Sequence, residues 1–240
     1  MRGVNLTGLR YYLILDVKRV YNELMIKHQA FAVWFIIFIV WAFYRAYFRL
    51  PEAVDEFLIK PLVFLGPVLY IVLVREKKKL SEIGLGGKLK DMMFDIYIGI
   101  AIGILFAMEG LLANYIKYGQ FSFAPILALK VGGGLIMFLL TNLATSIWEE
   151  TLGRGFIYKR LLKISKNQMY AAVTSSFLFL LLHVPIMFTQ LHLTGMSFAI
   201  YPFSILLLGI TNSYIFSLRG NLVLPILIHT FWNMTVALYL

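Results

Sequence analysis

The chain contains no cysteine. It therefore has no disulfide framework, no thiol nucleophile and no thiolate metal site. It is also short of charge. Only 14% of its 240 residues are Asp, Glu, Lys or Arg, against roughly a quarter in soluble domains, and 60% are hydrophobic. That balance excludes an ordinary water-soluble domain and marks a polytopic membrane protein. Acidic residues are the scarcer sign, 12 against 22 Lys and Arg. In a membrane chain the net charge of +10 speaks to topology, since basic loops stay in the cytosol, and not to nucleic-acid binding. Residues 1–12 lack the apolar run and small-residue cleavage site of a signal peptide, so no removable targeting segment is expected. There is no internal repeat and no low-complexity tract, and one membrane domain over residues 1–240 accounts for the length.

Hydropathy divides the chain into an all-α bundle of about seven spans. Residues 9–27 interleave Leu9, Tyr12, Leu13, Val17 and Val20 with Arg10, Lys18, Arg19 and Lys27. This is too charged to span, and it reads as an amphipathic helix, within residues 1–28, on an anionic cytosolic leaflet. Spans follow at about 29–48, 57–74, 92–113, 125–163, 168–188, 198–216 and 222–240, each close to or above the ~20 residues a bilayer needs. The connection over 49–60, with Glu52, Asp55 and Glu56, is expected to face outward. Arg75-Glu76-Lys77-Lys78-Lys79 and Lys159, Arg160, Lys163 and Lys166 are cytosolic markers. The amino terminus is then cytosolic and the carboxyl terminus outside. Gly132-Gly133-Gly134 is a candidate bend or close-approach point in the fourth helix. Glu109, inside the third span, is expected to snorkel to the outer face unless it joins a polar site.

One stretch breaks the apolar pattern: Trp148-Glu149-Glu150-Thr151-Leu152-Gly153-Arg154. A charge at the bilayer centre costs about 2.5–3.5 kcal/mol, so these three could cost roughly 8–10 kcal/mol before pairing. Glu150 and Arg154 are one helical turn apart and are expected to pair. Glu149 is turned about 100° away. No opposite charge lies near it in sequence, so burial without a countercharge is expected to make it a proton-transfer group. It lies roughly 15 Å from Lys159 along a helix, well inside the membrane. His229 and Asn233 share one helix face, roughly 12 Å from Asn221, and His183 lies roughly 22–24 Å from its helix start. The depths are compatible, so three helices over 125–240 are expected to form one polar site. Water activated by Glu149 or His183 could attack an amide carbonyl. His229 and Asn233 could hold the oxyanion. Ser-His-Asp chemistry has no sequence support, and Asp91 and Asp95 share one helix start. Zinc held by Glu149, His183 and His229 would be an alternative way to activate water, though no HExxH motif is present, and a cofactor-free site is favoured.

Glu149-Glu150-x-x-x-Arg154, Phe179-x-x-x-His183 and His229-x-x-x-Asn233, in that order and with Arg154-Gly155-Phe156 continuing the first, resemble the CPBP family of CAAX proteases and bacteriocin-processing enzymes. The resemblance covers about 127–240, with weaker support from Ile83-Gly84-Leu85-Gly86. It implies an intramembrane endopeptidase whose cavity opens to the cytosol. In the CAAX branch the substrate is a prenylated carboxyl-terminal tail. Carried over, Glu149 and His183 activate water, His229 and Asn233 stabilise the oxyanion, Glu150 and Arg154 support the site, and Phe179 packs. The family has been described both as metal-dependent and as glutamate-dependent. Two other readings keep the polar groups without the peptidase: a membrane scaffold or immunity protein of the same fold, and a transporter or proton relay. A transporter predicts inverted repeats, whereas the polar residues here concentrate in the second half. The sequence is silent on oligomeric state.

Overall fold

The computed structural model describes residues 6–48, 50–121 and 134–239, and only the backbone of 6–24, 27 and 239. Seven long helices pack side by side, and there is no strand among the described residues. They are α1 (Leu6–Tyr47), α2 (Glu52–Arg75), α3 (Leu89–Tyr118), α4 (residues 134–165), α5 (Gln168–Thr189), α6 (Gly195–Arg219) and α7 (Val223–Tyr239). α2, α3, α5, α6 and the part of α1 from His28 are long and apolar enough to cross a membrane. α7 and the apolar start of α4 are shorter and complete the bundle. Large apolar side chains such as Phe35, Ile36, Leu105 and Phe203 point away from it, as lipid contact requires. The protein is an all-helical, multi-pass membrane bundle.

α1 has 42 residues, a length of about 63 Å and twice the hydrocarbon thickness. The basic stretch expected over 9–27 is the first half of this helix and runs into the span without a break. The start of α4 expected over 125–133, with Gly132 and Gly133 of the candidate bend, lies outside the described residues.

α2 departs from the sequence reading. It begins at Glu52, and the segment expected as an outward-facing connection is helix. Asp55, Glu56 and Lys60 are buried inside the bundle. Arg45 binds Asp55 at 2.8 Å, Tyr44 donates to the same carboxylate, and Lys60 binds Glu56 at 2.8 Å. The charges looked like loop charges because half of their partners lie on other helices. Pro61 and Pro67 lack an amide hydrogen and crowd the preceding turn, and wider π-helical turns occupy Asp55–Ile59, Pro61–Leu65 and Tyr70–Arg75 around them.

Glycine sets the position of α7. A Cβ on Gly99 of α3 would sit 2.5 Å from Leu227, and one on Gly103 would sit 2.5 Å from Phe231. Only hydrogen fits, so α3 and α7 close to backbone distance, as small-residue pairs spaced by four allow in membranes. Leu227 and Phe231 thus face α3, and His229, between them in sequence, is turned the other way.

The ends of the bundle differ. At one end lie the 76–88 loop, the close of α4 and the turn between α6 and α7. Leu222 N–H donates to Gly84 O at 3.0 Å, Arg160 binds Glu76 at 2.7 Å, and Lys159 donates to Glu82 O. Asp95, fully buried, accepts from Arg219 and Asn221, and Asn221 in turn caps α7 by accepting from Val223 N–H at 2.9 Å. This basic end is filled by Ile83, Leu152, Phe156, Tyr158 and Leu222.

Candidate active site

The polar site starts where α4 changes its winding. Gly134–Glu150 is α-helical and Thr151–Tyr158 is π-helical. Such expansions are rare and concentrate at functional sites. Every residue from Glu149 to Tyr158 is buried. The two adjacent glutamates face different surroundings, as their spacing predicts.

Glu150 points into the protein. Its Oε1 accepts from Arg154 Nη1 at 3.1 Å, from Asn212 Nδ2 at 3.0 Å and from His229 Nδ1 at 2.7 Å. Arg154 lies over the Phe179 ring, 4.9 Å from its centroid. It reaches there because residue 209 is glycine: a Cβ would come within 2.9 Å of Arg154 Nη2 and 2.7 Å of Ser176 Oγ. The expected Glu150–Arg154 pair is formed, and it holds His229.

Glu149 points into a cavity of about 280 Å³. Its Oε1 lies 2.9 Å from Lys60 Nζ, and its Oε2 lies 3.7 Å from His183 Nε2 and 3.6 Å from His229 Nε2. The expectation of a carboxylate without a countercharge is therefore corrected. Lys60, from α2 and 89 positions away, supplies that charge, and Glu56 holds the other side of the same ammonium. Glu56 is itself fixed by Thr145 Oγ1 at 2.6 Å and, through its carbonyl, by Trp148 Nε1 at 2.7 Å. His183 Nδ1 lies 3.0 Å from Phe179 O. A carbonyl only accepts, so Nδ1 carries the hydrogen and the neutral ring presents a lone pair on Nε2 to the cavity. The Phe179 ring meets His183 edge-on at 4.6 Å and His229 at 6.2 Å. Asn233, one turn beyond His229, lines the same cavity.

All six residues singled out in the sequence thus lie in one connected cluster: Glu149, His183, His229 and Asn233 on the cavity, and Glu150 and Arg154 behind it. Glu109 does not join them; it is exposed on α3. Sequence reading missed Lys60, Glu56 and Asn212. Two signals were there: Glu56 and Lys60 are one turn apart, and Asn212 interrupts an apolar helix. Among the described residues, no three His, Asp or Glu side chains are placed to hold a metal ion. Lys60 pairs with Oε1 of Glu149 and leaves Oε2 facing the two histidines.

The cavity walls run from Glu149 toward Arg45, Leu191, Val236 and Ala237. These lie at the end of the bundle away from the basic loops. Packed side chains fill the basic end, and the cavity lies toward the other.

Residues 131–235 match the family model of Rce1-like type II CAAX prenyl endopeptidases. This part of the chain is similar to an Rce1-like domain. No curated protein and no solved structure matches the chain. The matched stretch contains Glu149, Glu150, Arg154, His183, His229 and Asn233. Lys60, Glu56 and Arg45, which complete the cavity, come from outside it. The matched family is one of proteases, and the apolar helices are those of an integral, multi-pass membrane protein.

Proposed function

We propose that the protein is an intramembrane endopeptidase that hydrolyses a peptide bond with water held by Glu149 and His183. The observation that carries this is the approach of His183 Nε2 and His229 Nε2 to 3.7 and 3.6 Å from Glu149 Oε2, from three separate helices and on one cavity. Water donates one hydrogen to Glu149 Oε2 and the other to the lone pair of His183 Nε2. Its oxygen attacks the amide carbonyl carbon as a proton moves to His183 Nε2. The Glu149–Lys60 pair keeps the carboxylate oriented and stabilises the imidazolium. His229, with Nδ1–H on Glu150, offers Nε2–H to the oxyanion when its ring carries both protons, and the Asn233 side-chain amide offers a second donor. His183 then gives its proton to the leaving nitrogen, the C–N bond breaks to give a carboxylic acid and an amine, and the acid passes its proton to water as it leaves as a carboxylate. No metal takes part in these steps. Glu150 and Arg154 act through His229.

The test is purified protein in proteoliposomes with fluorogenic peptides, prenylated and unmodified, since the family match supports a prenylated substrate. Wild-type protein cleaves at least one of them, and Glu149→Ala and His183→Ala, folded by circular dichroism, do not. Cleavage that survives Glu149→Ala overturns the proposal. Cleavage that stops with a chelator and returns with Zn²⁺ replaces it with a metal-dependent mechanism.

A further inference from the structure

Two independent features concern the route to the site. The first is charge. Arg75, Lys77, Lys78 and Lys79, with Lys159, Lys163 and Lys166, all lie at one end of the bundle, tied together by the Arg160–Glu76 and Leu222–Gly84 contacts. The loops there are short, which is the condition under which basic residues fix the cytosolic side. At the other end, Arg45 and Lys60 are neutralised by Asp55, Glu56 and Glu149, and Glu52 is exposed. The second feature is the cavity. From Glu149 toward the basic end, a molecule meets Leu152, Phe156, Tyr158, Ile83 and Leu222, none more than 2% exposed. Toward the other end it meets open space bounded by Tyr201, Trp232, Val236 and the exposed Leu191 and Ala237.

On the reading of the site as a peptidase, we infer that the scissile segment reaches Glu149 from the extracytoplasmic face. The substrate class is then a peptide segment exposed on that face, with apolar side chains against Trp41, Tyr201 and Trp232, and not a tail presented from the cytosol. The amino terminus is cytosolic and the active site opens to the opposite side.

The absence of cysteine makes single introduced thiols specific reporters. Leu191→Cys and Ala237→Cys mark the cavity end, and Lys79→Cys marks the basic end. A membrane-impermeant maleimide is applied to intact cells and then to permeabilised ones. The expected result is labelling of Leu191→Cys and Ala237→Cys in intact cells, and of Lys79→Cys only after permeabilisation. Labelling of Lys79→Cys in intact cells, with the other two requiring permeabilisation, overturns the inference. Labelling does not depend on turnover, so it stands apart from the Glu149→Ala cleavage test. A peptidase that passes the cleavage test and fails this one is cytosol-facing.

Discussion

At the basic end of the bundle, Leu152, Phe156, Tyr158 and Leu222 fill the space between helices, and the charges sit outside on the loops. At the other end, Arg45, Asp55, Glu56 and Lys60 are no more than 7% exposed, and a cavity lies among them. Burial is similar and the chemistry is opposite. Removing an apolar side chain from the first region leaves a void. Removing a charge from the second leaves its partner buried without a countercharge, which is the costlier fault. One region can only hold the helices together, and the other holds ionised groups in fixed orientation around open space.

The sharpest way to break this contrast is at the carboxylate where the regions meet. Glu149→Gln keeps the shape and removes the charge, and kcat/KM for peptide cleavage in proteoliposomes is expected to fall by about 10²–10⁴-fold, with unchanged helix content. Lys60→Met comes next. It leaves Glu56 and Glu149 facing each other, and unfolding in detergent, followed by tryptophan fluorescence, should show a loss of about 3–5 kcal/mol. A loss of under about 1 kcal/mol would mean that the Lys60 pairs contribute nothing net. In the solid region, Gly155→Ala would push a Cβ to 2.4 Å from the backbone carbonyl of Ile83. That carbonyl has nowhere to go, so about 1–3 kcal/mol is expected in the same unfolding measurement, with cleavage per folded molecule little changed. The smallest effect is expected at Glu109→Gln, on the exposed surface of α3, within about 0.5 kcal/mol of wild type and with full cleavage.

Much of the site was legible because it is written in local spacing. Glu150 and Arg154 pair across one turn as read, and His229 and Asn233 share a face. The different orientations of Glu149 and Glu150 follow from the helix angle alone. What could not be read was anything that depends on which helices are neighbours. Glu56 and Lys60 looked like interface charges because Glu149, Thr145 and Trp148, which hold them, lie about 90 positions away. The same blindness placed the start of α2 several residues late. Asp95 was visible as a charge at a helix start, yet its role in fixing the turn into α7 depends on Arg219 and Asn221. The π-helical turns after Glu150 leave no mark in hydropathy at all.

By itself the sequence determined that this chain lives in a membrane, since apolar runs of that length are stable nowhere else, and it determined which side chains are reactive candidates, because a helix turns by a fixed angle per residue. Which charge neutralises Glu149, and toward which end the cavity runs, were decided only by tertiary structure. Those depend on how close one helix can come to another, and here hydrogen in place of a side chain at Gly99, Gly103, Gly155 and Gly209 set the distances.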